Sequence, residues 1–237
     1  MIKHFPKIIF FCCGSMLSAL DLKTALIEIE NDKLNTTILP MQYHQWPGEG
    51  RQEPRIRKAD RIRFAKRMKT EPNSTGENDE EMFLSQNGRY FEYRRYTHTT
   101  TYWRQFVLFE KTPGQWVMAV SLANTPRESE WSDLYFLCKV SGRWADCTKR
   151  FVSPISLESF LKEGKVLNEE TRANSYLKYS IAESGELIEI QITSVIPTPA
   201  VPPGAAKPTV NYEFKDFKGV SFRLRWRENT MKYELEP

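Results

Sequence analysis

The sequence predicts a mainly β protein, a single domain in which antiparallel strands follow one another as a meander, forming a curved sheet, a sandwich or an open barrel. Aromatic residues make up 13% of the chain, and its 14 prolines outnumber its 11 glycines. This composition favours many chain reversals over long helices. In the last third, apolar and polar residues alternate, most regularly over Val220–Trp226 and Met231–Leu235. Period-two alternation is typical of antiparallel sheets with one buried face.

The first 19 residues have the order of a secretory signal peptide. Lys3 and Lys7 precede the apolar run Ile8–Leu17, and small residues follow near Ala19. This run is about half as long as the ~20 residues that a membrane-spanning helix needs. We therefore expect an exported protein, periplasmic or secreted, with no transmembrane segment in the mature chain. A buried first helix or strand is the alternative interpretation.

Residues 20–46 predict a short N-terminal element whose type the pattern leaves open. Leu22, Leu26 and Ile29 recur at helical spacing, whereas Ile27–Glu30 alternates as a strand does. We expect a helix slightly more than a strand.

Residues 47–81 differ from the rest of the chain, with many charges and few large apolar residues. Between positions 51 and 69, nine Lys and Arg stand against Glu53 and Asp60, a net charge of +7. The apolar residues of this stretch recur every three positions, which spreads them around a helix; they are Ile56, Ala59, Ile62, Ala65 and Met68. We expect a solvent-exposed, disordered basic arm with at most a short helix. Such an arm can bind an anionic polymer by counterion release, or simply fold back on the acids at 77–81. Its candidate binding residues are Arg55, Arg57, Lys58, Arg61, Arg63, Lys66 and Arg67.

The predicted β domain spans residues 82–237 and contains a cysteine pair. Removal of the leader would leave only Cys138 and Cys147, which flank the turn signal Ser141–Gly142. A four-residue loop would pair Val140 with Ala145 and place the two cysteines opposite each other. We therefore predict a structural disulfide. Two cysteines without a nearby histidine cannot complete a zinc site, so no metal is expected.

One short helix is predicted inside the β domain. Ser156 is a suitable N-cap, and Gly164 ends the element. The inward face is supplied by Leu157, Phe160 and Leu161. The Pro-rich segment 197–208 resembles a linker, but the 29 residues after 208 are too few to fold alone. We therefore expect it to be a surface loop, with the terminal strands docked on the main sheet.

A short pattern occurs twice in the β domain. The spacing Lys-x-x-Gly-x-Trp begins at Lys111 and again at Lys139. Too few strands are present for a propeller. The pattern predicts two similar hairpins, each with Gly in the turn and Trp at the start of the returning strand.

A second candidate binding surface combines aromatic and basic residues. Strand alternation places Arg94, Tyr96 and His98 on one face, and Trp103 and Arg104 follow in the next strand. Exposed aromatic residues beside arginines are common in contact surfaces. Cross-strand pairing on an ordinary sheet is the alternative explanation.

The sequence lacks the common enzyme motifs. The chain contains no HExxH helix, G-x-S-x-G elbow, phosphate-binding loop or dinucleotide-binding glycine pattern. We predict no catalytic residue and no cofactor. The leading hypothesis is an exported, non-enzymatic binding or inhibitor-like protein of the cell envelope or extracellular space, which contacts a protein or an anionic polymer through a sheet face or the basic arm. Nucleic acid is not an expected partner outside the cytosol.

Two alternatives remain open. A hydrolase of envelope polymers would need two carboxylates, or His98 with an acid, to converge in a concave pocket. A structural envelope component would need neither a pocket nor a contact surface.

Overall fold

The computed structural model describes residues 20–40, 56–69, 80–96, 100–126, 131–194 and 214–236. The predicted signal peptide, the Pro-rich segment 197–208, Arg55 and His98 lie outside the described residues. The prediction of a mainly antiparallel β protein is confirmed, because ten strands form two sheets in which every pair is antiparallel.

The larger sheet is a six-stranded meander in chain order. Its strands are β1 (Glu80–Leu84), β2 (Tyr90–Tyr96), β3 (Thr100–Thr112), β4 (Gln115–Pro126), β5 (Trp131–Val140) and β6 (Arg143–Asp146). Because consecutive strands are antiparallel neighbours, the β3–β4 and β5–β6 turns lie at the same end of the sheet. Gly114 and Gly142 have φ of 80° and 79° in these turns. The repeated Lys-x-x-Gly-x-Trp pattern therefore marks two hairpins, as predicted.

The smaller sheet has four strands in the order β10-β9-β8-β7. They are β7 (Ser175–Ile181), β8 (Leu187–Ser194), β9 (Ser221–Arg227) and β10 (Lys232–Leu235). The terminal strands dock through the β8–β9 ladder, in which Ile190 lies opposite Phe222. The strands thus form two consecutive meanders rather than one, in a sandwich-like arrangement.

Short helices connect and cover the sheets. They are α1 (Leu22–Glu28), α2 (Asp32–Ile38), α3 (Lys58–Arg67), α4 (Thr148–Phe151), a 3₁₀ helix (Leu157–Phe160) and α5 (Glu169–Asn174). Asp21 caps α1 by accepting a hydrogen bond from the Thr24 amide at 2.7 Å, so the N-terminal element is helical. The helix predicted after Ser156 is the 3₁₀ helix, with Leu157 and Phe160 buried.

The six-stranded sheet lies between two apolar cores. On one face α1, α2 and α3 pack against residues that include Phe91, Tyr93 and Phe106. On the other face the smaller sheet packs against Val107 and Phe136. The molecule therefore has three layers, namely helices, large sheet and small sheet, and the large sheet packs against another layer on each face.

Polar side chains join the two sheets where the edge strand β7 crosses β5, β4 and β3. The Tyr179 amide donates to Ser132 Oγ at 3.4 Å, and Ser121 Oγ donates to the Tyr179 carbonyl at 2.7 Å. The Ile181 amide donates to Gln105 Oε1 at 2.9 Å. Backbone groups on an edge strand need partners when they are buried. Three side chains of the large sheet supply those partners.

The predicted disulfide between Cys138 and Cys147 is present, with a Cα–Cα distance of 6.0 Å. The register differs from the one expected. Val140 lies opposite Arg143, so the loop has two residues rather than four, and Cys138 faces Ala145. Ser141 and Gly142 both have positive φ, as a tight two-residue hairpin turn requires. Cys147 follows β6 and reaches Cys138 diagonally.

The basic segment differs most from its expectation. Residues 56–69 are not a disordered arm, because α3 buries one side against the large sheet. Its buried positions recur at helical spacing and are Asp60, Arg61, Phe64, Ala65 and Met68. Two of these buried positions, Asp60 and Arg61, carry charges, so the pattern of apolar residues alone does not reveal the buried side of the helix. Phe64 also falls outside the three-residue repeat of apolar side chains.

Phe64 holds α3 on the sheet. Its ring centroid lies 5.7 Å from that of Phe91, 6.3 Å from that of Tyr93 and 6.5 Å from that of Phe106. Such contacts combine buried area with favourable edge-to-face geometry. The aromatic cluster therefore links the basic segment to the centre of the sheet.

We predict that Phe64→Ala lowers the free energy of unfolding by about 3–5 kcal/mol, because a large buried side chain is lost from a packed core. Urea denaturation followed by circular dichroism measures the change. Lys66→Ala, on the exposed side of the same helix, is the control and should stay within about 0.5 kcal/mol of the wild type. Equal stability of Phe64→Ala and wild type would contradict the docking of α3.

Loss of the disulfide should also destabilise the fold. The double variant Cys138→Ala/Cys147→Ala is expected to lose about 2.5–3 kcal/mol, because the unfolded chain regains the freedom of the open loop. The same shift should follow treatment of the wild-type protein with a reductant. Unchanged urea midpoints in both experiments would show that this crosslink contributes nothing to stability.

Candidate anion-binding cleft

The basic residues predicted to form one binding arm are divided among different roles. Arg63 Nη2 lies 3.0 Å from Asp60 Oδ1, and Arg67 Nη2 lies 2.6 Å from Glu80 Oε2. Arg57 precedes α3, and its amide donates to Asp60 Oδ2 at 3.1 Å. Lys66 is exposed. Of the predicted set, among the residues that the structure describes, Lys58 and Arg61 line a common cavity.

This cavity is a cleft of about 740 Å³ between three elements. They are the end of α1 with the residues that follow it, the start of α3, and the turn of the β5–β6 hairpin. The cleft is lined by six charged residues: Glu28, Glu30, Lys58, Arg61, Lys139 and Arg143. Four cations and two carboxylates give the lining a formal charge of +2.

Two of the four cations already have partners. Lys139 Nζ lies 2.7 Å from Glu28 Oε2. Arg61 is buried and donates to the backbone carbonyls of Ile27, at 3.1 Å, and Ile56, at 3.3 Å. Its guanidinium thereby ties α3 to the end of α1 and forms the floor where the helices meet.

Lys58 and Arg143 are the cations available to a ligand. Both are exposed, and neither forms an ion pair with any described residue. They come from α3 and β6, elements far apart in the chain that face one cleft. Opposed cations of this kind attract an anionic group by charge and can donate several hydrogen bonds to it.

Trp144 adds an aromatic side chain to the lining of the cleft. The residue is only 4% exposed, and Lys139 Nζ lies 5.7 Å from the centroid of its ring. Its indole Nε1 is buried and has no hydrogen-bond partner among the described residues. The cleft therefore has an apolar residue beside its cations.

Lys139, Arg143 and Trp144 were not among the residues nominated from the sequence. The repeated Lys-x-x-Gly-x-Trp pattern was the one available signal, because it marks Lys139 and Trp144 as the two sides of a hairpin. It could not show that α3 packs beside that hairpin.

Among the described residues no group of three or more His, Cys, Asp or Glu could hold a metal ion. None of the described helices is long and apolar enough to cross a membrane.

Three residues of the second predicted surface lie together on one sheet face. Arg94, Tyr96 and Trp103 lie on the face of the large sheet that carries Glu92, the face on which β7 contacts β3, β4 and β5. Trp103 Nε1 donates to Glu92 Oε1 at 2.9 Å, and Arg94 Nη2 lies 2.5 Å from the same oxygen. Lys178 from β7 sits 4.8 Å from the centroid of the Trp103 ring. These contacts make a connected polar network.

Arg104 lies apart from that surface. It is 4% exposed and turns to the opposite face of the sheet, where Nη1 donates to the Trp103 and Ala123 carbonyls and to Asn124 Oδ1. Burial lowers the pKa of its guanidinium to about 10. Arg104 therefore stabilises the sheet and does not contribute to the exposed patch.

Glu92 is the centre of the network. Burial opposes its ionisation, but hydrogen bonds from the Tyr90 hydroxyl at 2.5 Å and from the Trp103 indole, together with Arg94, hold the pKa of this carboxyl below its ordinary value. The Tyr90 hydroxyl in turn accepts from Gln105 Nε2 at 2.9 Å. Gln105 binds β7, so the exposed patch is continuous with the contact between the sheets.

Comparison with known proteins gives the fold a distant parallel. No protein-family model matches the chain, and no curated protein matches it. The solved structures that are similar include a domain of an uncharacterized protein from Porphyromonas gingivalis. That domain and this chain share 11% sequence identity over 91% of this chain and 97% of that one, with a TM-score of 0.47.

We predict that Glu92→Gln lowers the free energy of unfolding by about 1.5–3 kcal/mol at pH 7, because charge-assisted hydrogen bonds are lost. The wild-type carboxyl has a lowered pKa in the folded state, so its contribution is present above the ordinary pKa of glutamate. It disappears as the pH falls through the folded-state pKa. Urea denaturation of both proteins at neutral and acidic pH measures the difference.

The control for this prediction is Glu81→Gln, an exposed carboxylate on the adjacent strand. It should change stability by at most about 0.5 kcal/mol. A Glu92→Gln deficit that is the same at neutral and acidic pH would contradict the role given to the ionised carboxylate.

Proposed function

We propose that the protein is an exported, non-enzymatic binding protein that captures an anionic polymer of the cell envelope or extracellular space in the cleft beside α3. One observation carries the proposal: Lys58 and Arg143, which have no ion-pair partner among the described residues, line one cavity from elements far apart in the chain. The cations attract the ligand, and Trp144 lines the same cavity beside them.

The disposition of Lys139 and Arg61 supports the same function. Both are held in place by contacts within the protein, so the cleft keeps its shape and positive potential before a ligand arrives. Preorganised charges bind more tightly than mobile side chains, because less conformational freedom is lost on binding. A disordered arm would lack this advantage.

A second candidate function is protein binding through the sheet face. Phe83, which lies opposite Glu92 on β1, and Tyr96 are 39% and 38% exposed on the sheet face that carries Arg94. Aromatic residues and arginine are enriched among the residues that dominate protein interfaces. This surface suits an inhibitor-like contact, independent of the cleft.

We expect the wild-type protein to bind full-length heparin, used as a sulfated probe, and to bind it less tightly as salt is added. The double variant Lys58→Ala/Arg143→Ala should bind at least about tenfold more weakly. Isothermal titration calorimetry measures both affinities.

The matched control is Arg223→Ala/Lys232→Ala, which removes one Arg and one Lys from exposed positions on the smaller sheet. It should bind heparin nearly as well as the wild type. Equal losses of heparin affinity in the two double variants would show that binding depends only on the overall charge of the protein and would contradict the proposed cleft. Absence of binding by the wild type would overturn the proposal.

A further inference from the structure

A second cleft meets the first at the end of the large sheet. It has a volume of about 300 Å³, and Lys139 and Ser141 line both cavities. Lys139 is in β5 and Ser141 is in the turn that follows it, so both clefts border the β5–β6 hairpin. A chain molecule that crosses this hairpin can therefore contact both clefts.

The second cleft also carries cations without ion-pair partners. Lys111 Nζ lies 5.1 Å from the centroid of the Phe151 ring, and the Arg150 guanidinium lies 5.9 Å from the same centroid. Neither forms an ion pair with a described residue. Burial and the nearby Arg150 lower the pKa of the Lys111 ammonium. An anion between the two cations would relieve their repulsion.

The repeated Lys-x-x-Gly-x-Trp turns explain why the clefts are neighbours. Lys111 and Trp116 line the second cleft, whereas Lys139 and Trp144 line the first. Both turns lie at the same end of the sheet, because β3–β4 and β5–β6 are alternate hairpins of one meander. The two copies of the pattern thus give each cleft a lysine and a tryptophan.

We propose, building on the binding function assigned above to the first cleft, that the ligand is an extended acidic polysaccharide that spans both clefts across the β5–β6 turn. Its acidic groups would lie near Lys58 and Arg143 in the first cleft and near Lys111 and Arg150 in the second. A ligand of a few sugar units would reach only one of these two pairs of cations.

The polar lining favours a sugar chain over a polymer with a phosphate at every unit. Glu30, Asn31 and Ser141 line the first cleft beside its cations. Carboxylate, amide and hydroxyl oxygens accept hydrogen bonds from sugar hydroxyls. The carboxylate of Glu30 would repel closely spaced phosphates, whereas a glycan alternates acidic groups with hydroxyls.

The experiment compares a heparin tetrasaccharide with a heparin dodecasaccharide by calorimetry. Lys111→Gln/Arg150→Gln should weaken the dodecasaccharide about tenfold and leave the tetrasaccharide unchanged. Lys58→Ala/Arg143→Ala should weaken both. The Arg150 side chain is exposed and the Lys111 side chain is half-buried. Urea denaturation of the Lys111→Gln/Arg150→Gln variant checks that it folds.

The outcomes separate this inference from the function on which it rests. If Lys111→Gln/Arg150→Gln binds the dodecasaccharide as the wild type does, while the first-cleft variant is weakened, the spanning ligand is overturned and the first cleft stands. If neither heparin fragment binds the wild type, the proposed function itself fails. Linear polyphosphate of equal total charge should bind more weakly than the dodecasaccharide, and tighter binding would overturn the assignment to a polysaccharide.

Discussion

The packing of Phe64 against Phe91, Tyr93 and Phe106 is the interaction on which the rest of the functional architecture depends. It fixes α3 to the large sheet although the helix is rich in Lys and Arg. Without this aromatic contact the basic segment would have little apolar area to bury, and its charges would stay in solvent. With it, Lys58 and Arg61 stand beside the β5–β6 hairpin. A single buried ring thus turns a charged stretch of chain into one wall of a cleft.

Charged side chains inside the fold are tolerated because each has specific partners. Asp60 accepts from the Arg57 amide and from Arg63, while Arg61 donates to two backbone carbonyls. Burying a charge without such partners would be very costly. The same rule separates the residues that shape the protein from those offered to a ligand. Lys58 and Arg143 are exposed and carry no ion pair within the described chain.

The geometry of the meander determines where the clefts lie. Antiparallel neighbours in chain order place alternate turns at one end of the sheet, so two similar hairpins become adjacent although 28 residues separate Lys111 from Lys139. The helices pack on one face of the large sheet and the smaller sheet packs on the other. The two clefts lie at the end of the large sheet that carries these turns. The polar contact of β7 with Gln105 and Ser121 keeps the second layer in register with the first.

Local patterns in the sequence were sufficient to predict the antiparallel sheets, the Cys138–Cys147 crosslink and the two hairpins, because period-two alternation and turn residues act over a few neighbouring positions. They missed the docking of α3, since Asp60 and Arg61 interrupt its buried stripe, and they missed Arg143 as a cleft residue. Those features depend on which elements pack together. Only the tertiary structure could decide them, because Phe91, which packs on Phe64, lies 27 residues away in the chain and Ile27, which accepts from Arg61, lies 34 residues away.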